Sequence, residues 1–371
     1  MAHMRIKADE ARRSRKGIFL GGFTCMLLCA ACSTTQLAVS TQAEVMELAF
    51  PSIEEQTDYD FARSAIPGNL VQIEGLLRVQ PDNERLLLLA ARGFTSYAYG
   101  FVEDELHQAE QAGDLDAADR QRARARAMYL KAKDYGWKLL RLLDDDVPAE
   151  APRDPDELRA LVRDAFDAPE HASALFWTGN AWGLAINLSR DEPALLADLP
   201  FARVLVERAV ELDERYYNAS GHVFLGVAHA SLGQSMGGQP ETGRAHFEKA
   251  LALTERRATL VHVNYAESYA VQTQNRDLFT SLLEEVLAAP IPEGSALTLP
   301  NTIARRRAQR LLAQVDSLVL QSLDDLPAAP PDPPTPEEDS DLPDAPPDPP
   351  EASEPTSAPQ AGAPGPATVA E

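Results

Sequence analysis

An all-α body of helix pairs stacked on one another is what this sequence predicts, and three observations carry that expectation. Ala and Leu recur throughout while aromatic residues make up 6% of the chain. Both residues keep helical conformations cheaply, and neither is β-branched. Between roughly Gln42 and Leu323 the apolar residues return at helical spacing, and no stretch alternates like a half-buried strand. Stops punctuate this region at Pro67-Gly68, Pro81-Asp82-Asn83, Pro148, Pro152, Pro155, Pro193, Pro240, Pro290 and Pro292. They leave segments of about 12 to 25 residues, or multiples of that, which suits helices in antiparallel pairs.

The chain is organised into four parts. Residues 1–31 read as a signal peptide: Arg5, Lys7, Arg12, Arg13, Arg15 and Lys16 precede the uncharged, mostly apolar run Gly17 to Ala31. That run is shorter than the roughly 18 to 20 apolar residues a membrane-spanning helix needs. Ala30 and Ala31 sit just before Cys32, and the polar Ser33, Thr34 and Thr35 follow it. This arrangement resembles a bacterial lipobox, which implies that Cys32 is acylated and becomes the first residue of the mature protein. It departs from the usual pattern in having Cys29 where Leu is common, and simple secretion is the alternative. The other cysteines, Cys25 and Cys29, fall inside the leader, so the mature body holds no disulfide. Residues 32–47 read as a linker and 48–323 as the helical domain. From Asp324 to Glu371 the chain is acidic, rich in proline and nearly free of large apolar residues, the composition of a disordered tail.

Within the domain one short motif recurs. Val206-Glu207-Arg208-Ala209 and Phe247-Glu248-Lys249-Ala250 each place a bulky residue three positions before Ala, so both face one way on a helix. Tyr129 and Ala132 echo it, Leu283 and Val286 repeat it with Val for Ala, and Ile73 and Leu76 are a looser copy. Leu225, Gly226 and His229 fit the Leu-Gly-x-x-aromatic spacing of tetratricopeptide repeats, with His at the aromatic place. From Val206 to Phe247 is 41 residues and from Phe247 to Leu283 is 36, against about 34 for the ideal repeat. The fold class expected is therefore degenerate tetratricopeptide-like helix pairs, four to five of them, in one compact helical body.

Five ordered segments carry a more specific likeness. They are PDNERLLLLAARGFTSYAYGFVEDE, ALFWTGNAWGLAINLS, GHVFLGVAHASLGQSMGGQPETGRAHFEKALAL, VNYAESYAVQTQNRDLFTSLLEEVL and LPNTIARRRAQRLLAQVD. Together, from about Ala65 to Val319, they resemble the TatT component of tetratricopeptide-repeat-associated TRAP transporters. The stretch Ala118 to Arg126 looks like a long insert, and the acidic tail has no counterpart in the family. The resemblance implies a periplasmic, membrane-anchored helical protein that partners the solute-binding protein of a TRAP system. It brings no catalytic residue and no cofactor.

The residues themselves point the same way. A net charge of -23 argues against nucleic acid, whose phosphates need clustered Lys and Arg. The seven histidines form no zinc-like pattern, and no serine nucleophile elbow or phosphate-cradling glycine loop is present, so neither a metal site nor an enzyme is expected. A ligand wall is the better reading. Phe176, Asn180, Gly183 and Asn187 share one helical face, and two Asn on an apolar helix are costly to bury without partners. Trp177 and Trp182 add apolar area on other faces, and His222, Gly226 and His229 offer a second polar-spotted wall. The plainer alternative is that backbone neighbours satisfy these Asn and His and that the tryptophans are core.

Two functions fit. One is a lipid-anchored accessory protein of a solute transport system, docking a solute-binding protein and holding a hydrophobic or organic-acid ligand. The other is a scaffold lipoprotein for envelope assembly, binding peptides and no small ligand. An open space between the helices favours the first and a filled centre the second. Either is compatible with a homo-oligomer, and Ser33 after Cys32 leans toward the outer membrane.

Overall fold

A computed structural model describes residues 34–189, 192–231 and 238–320. The leader 1–31, Cys32 and the tail 324–371 lie outside the described residues. Within them every regular element is a helix, so the all-α class holds.

Where the sequence predicts a linker over 32–47, residues 34–49 form helix α1. Val39 and Ala43 are buried on its inner face, with Met46 one turn on packed against the same core. The short α2 (Pro51–Glu54) follows. Helix α3 (Tyr59–Val79) runs through Pro67, where the sequence predicts a stop. Its buried stripe Ile66, Leu70, Ile73 and Leu77 continues past the proline, while Gly68 and the chain around Arg63 face water. Burial of that stripe outweighs the lost hydrogen bond, and the freed carbonyl can be hydrated.

Helix α4 (Glu84–Tyr97) is capped by Asn83 and passes through a π turn, Ala98–Val102, into α5 (Glu103–Ala112). The stretch Ala118 to Arg126, read as an insert relative to the family, lies within α6 (Leu115–Leu143), a single 29-residue helix. Prolines then start helices as often as they end them. Pro155 opens α7 (Pro155–Ala165), and Pro193 opens α9 (Pro193–Leu196), which follows α8 (Ala172–Asn187). At the first helical position proline gives up no hydrogen bond.

Helix α10 (Leu199–Leu212) precedes α11 (Tyr216–Ala230) and α12 (Pro240–Leu253). The short α13 (Leu260–Tyr265) enters a second π turn, Ala266–Ala270. Last come α14 (Arg276–Ala288), α15 (Thr298–Ala313) and α16 (Val315–Leu318).

Neighbours in sequence are neighbours in space: α3 packs on α4, α10 on α11, α11 on α12 and α14 on α15, and α8 sits between α6 and α10. The recurring motif faces inward in its four closer copies, while Leu76 of the looser copy is half-buried. Tyr129, Ala132, Val206, Ala209, Phe247, Ala250, Leu283 and Val286 are all buried. The closest approach is between α11 and α12, where Phe247 lies over Gly226 and a Cβ on Gly243 would come within 2.7 Å of the Gly226 carbonyl. The core forms two clusters. One runs from α1 to α11 and takes in Leu299 and Ile303 of α15, and the other fills the space among α11 to α16.

Candidate functional site

The helices do not fill the centre. A cavity of about 1040 Å³ opens among α1 to α4, α8, α11, α13 and α15, at the upper end of the range for small-molecule sites. Its wall is mostly apolar, with Leu184, Val223, Val227 and Leu299 among the lining residues.

One end is polar, and both π turns build it. A π turn slips the backbone register by one residue, a device common at functional sites. Here the first turn presents the Tyr99 carbonyl to α15, where Arg307 Nη2 donates to it at 2.6 Å. The same nitrogen donates to Glu103 Oε2 at 2.8 Å, and the guanidinium lies 3.8 Å from the centre of the Tyr99 ring. The Tyr129 hydroxyl donates to the other oxygen of Glu103. Burial alone disfavours a charged Arg307, but Tyr99, Glu103 and Glu267 outweigh it and hold the guanidinium protonated, above its ordinary range. Asn264, on α13 just before the second turn, donates to the Tyr99 hydroxyl of the first at 3.0 Å. Beside this group Arg306 pairs with Asp104 at 3.2 Å. Glu267, from the second turn, also lines the cavity.

A different part of the wall is aromatic. Phe176 and Trp177 meet edge to face with ring centres 5.1 Å apart, and the Tyr217 ring lies 4.8 Å from Trp177. The Trp177 Nε1 donates to the Tyr216 hydroxyl at 2.9 Å. Tyr217 in turn donates to Glu54 at 3.0 Å, and Arg92 closes the group with a 2.6 Å bond to the same carboxylate. Burial, with the Glu54 charge second, pushes the Tyr217 hydroxyl well above its usual range, so it stays a donor. Three successive residues, Tyr217, Asn218 and Ala219, hold left-handed φ of 45°, 57° and 57° to bring this ring inward.

Of the ligand-wall residues expected from the sequence, Phe176, Trp177, Asn180 and Asn187 line this cavity. Trp182, His222 and His229 do not. Trp182 turns to the outer side of α8, stacks on Phe201 at 5.9 Å and donates to Asp198. His222 and His229 face α12, where His222 Nδ1 and His246 Nδ1 are 2.9 Å apart and the His229 and His246 rings stack at 5.8 Å. Beyond Tyr217 and Asn218 at its start, α11 reaches the cavity with Ser220, Val223, Phe224, Val227 and Ala228, on the next face round. Equal spacing along a helix gave no way to choose between those faces. Among the described residues no His, Cys, Asp and Glu group is arranged to hold a metal ion.

A family model described as "TRAP transporter T-component" matches residues 55–319, which takes in the cavity residues from α3 to α15. The chain belongs to that family. An uncharacterized protein of Treponema pallidum (strain Nichols) is similar to this T-component, 25% identical over 316 residues that cover 80% of this chain and 96% of its own length. The polar end of the T-component cavity has no expected residue in it. Yet Arg307 stands four residues after Ile303 and four before Leu311, on the apolar face of its helix, and that misplaced charge is the sequence signal for it.

Proposed function

We propose that this T-component is a periplasmic accessory protein of a TRAP-type solute transport system, held to a membrane by lipid on Cys32. It docks the solute-binding protein of that system and keeps a hydrophobic or organic-acid ligand between its helices. Membership of the family supports the association with a TRAP system. The single observation that carries the ligand is the cavity itself, an apolar space of about 1040 Å³ with a few convergent polar groups at one end. A peptide-binding scaffold for envelope assembly has no use for such a space, so the second function suggested by the sequence is the weaker fit.

Crosslinking and affinity purification of the protein from its own envelope, with mass spectrometry of partners and extracted small molecules, tests this. Recovery of a periplasmic solute-binding protein together with a small ligand is the expected result. Recovery of envelope-assembly proteins with no ligand would overturn it. A Cys32→Ala variant should leave the membrane fraction while keeping the partner, and its persistence in that fraction would overturn the lipid anchor.

A further inference from the structure

The polar end of the cavity holds charges of both signs, and not all of them meet. Arg307, Glu103 and Glu267 line it, and Arg306, Arg310 and Asp104 lie outside that lining. Arg306 pairs with Asp104 at 3.2 Å and Arg307 with Glu103 at 2.8 Å. Arg310 and Glu267 are left over, with no hydrogen bond or ion pair to either among the described residues. Glu267 lines the cavity, and its charge is the strongest one acting on Arg310. Burial, opposed by Glu267 and reinforced by Arg307, pushes the Arg310 guanidinium down from its ordinary range.

A donor is also left over. Arg307 lines the cavity at 3% exposure, and its Nε is buried without a partner. Buried N–H groups almost always find an acceptor, so this donor marks a place for an anionic oxygen. The cavity therefore offers one unanswered donor on Arg307 and one unanswered carboxylate on Glu267. A head group with one charge would answer only one of them, whereas a head with both signs answers both. The remainder of the space is mostly apolar and far larger than a short-chain acid would occupy.

We propose that this end of the cavity receives the zwitterionic head group of a long-chain amphiphile, its anionic oxygens toward Arg307 and its cationic group toward Glu267. The inference rests on the reading that the cavity holds a ligand, and it names the class of that ligand. The chain lies along Val223, Val227 and Leu299 toward the aromatic part of the wall.

The full-length protein with bound N-phenyl-1-naphthylamine, a neutral fluorescent probe, tests it. Three twelve-carbon amphiphiles compete below their micellar concentrations: dodecyl phosphoethanolamine, dodecanoate and dodecylamine. The zwitterion should displace the probe at a concentration about tenfold lower than either singly charged compound, a preference worth one decade in affinity. Glu267→Gln should swing the preference toward dodecanoate. A general loss of structure would weaken all three together and could not invert their order. Equal displacement by all three, or an order unmoved by Glu267→Gln, overturns the head-group assignment while the ligand cavity stands. Failure of the probe to bind at all overturns the ligand reading as well. Recovery of the solute-binding partner is measured separately and does not depend on either result.

Discussion

Arg307 donates to Glu103 across 204 residues of sequence, and both side chains are buried. The pair fastens α15 to the junction of α4 and α5, so the last long helix is bound to the first half of the molecule by charge as well as by packing. Removing one partner strands the other as a buried charge. Glu103→Gln should therefore cost about 3 kcal/mol or more of stability. Glu103→Gln with Arg307→Met should cost less than the sum of the two single changes, because the stranded charge goes too. Urea denaturation of the four proteins checks this, and strict additivity would show that the pair is not coupled.

Helix approach distances give a second test. A Cβ at Gly179 would lie 2.8 Å from the Ala202 carbonyl oxygen and 2.8 Å from Val206 Cγ2, so α8 and α10 would have to part. Gly179→Ala should destabilise by about 2 kcal/mol. At Gly75, on the exposed side of α3, nothing lies within 4 Å of the added carbon. Gly75→Ala should stabilise by about 1 kcal/mol, the ordinary difference in helix propensity. Thermal melts of both variants would decide, and equal shifts of one sign would contradict the packing described for α8.

The all-α class was legible because burial follows helical spacing almost everywhere, and the paired bulky and small residues from Tyr129 to Val286 all turned inward. Proline was less legible, because its effect depends on where in the helix it falls. Pro155, Pro193 and Pro240 begin helices, and Pro67 sits inside one. At the site, the face of α8 read from the sequence, with Phe176, Asn180 and Asn187, lines the cavity. The face of α11 with His222 and His229 turns to α12 instead, since His222 and Val223 differ by one position and only a neighbouring helix decides which of them turns to the cavity. The polar end was out of reach for another reason. Two π turns shift Tyr99, Glu103 and Glu267 off the regular period, and periodicity arguments assume that no such slip occurs.

The left-handed run at the start of α11 stores strain at the cavity wall. Asn218 holds φ 57° and is exposed, so changing it removes little buried contact. Glycine adopts that conformation freely, whereas a β-branched residue does not. Asn218→Gly should raise stability by about 0.5 kcal/mol, and Asn218→Val should lower it by about 1 kcal/mol or more. The intrinsic fluorescence of Trp177, 4.8 Å from the Tyr217 ring, should stay unchanged in the glycine variant. Two variants moving stability in the same direction would mean that this run is not held left-handed in solution.

Three histidines of the α11–α12 contact make stability depend on mild acid, beside His262, which burial also lowers and which any change in that contact leaves in place. Burial, and then the like charges of His222 and His229, push the His246 imidazole down to about 4. His222 and His229 are lowered as well, each chiefly by burial, with Glu214 partly opposing the effect at His222. An unfolded chain would titrate all three near pH 6.5. As pH falls from about 6.5 toward 4, the unfolded state takes up protons that the native state refuses, so native stability falls through that window and is fully present above it. The rings are partly solvated, which reduces the loss to about 1 to 2 kcal/mol for the cluster. His246→Gln removes the most depressed member and one charge from each neighbour's surroundings. Urea midpoints at pH 7, 6, 5 and 4.5 should therefore fall less steeply in that variant than in the parent protein. Carboxylate pairs such as Glu285 with Arg256, held down to about 2, contribute at lower pH and are common to both proteins. Parallel curves for the two would place the acid sensitivity outside the α11–α12 contact.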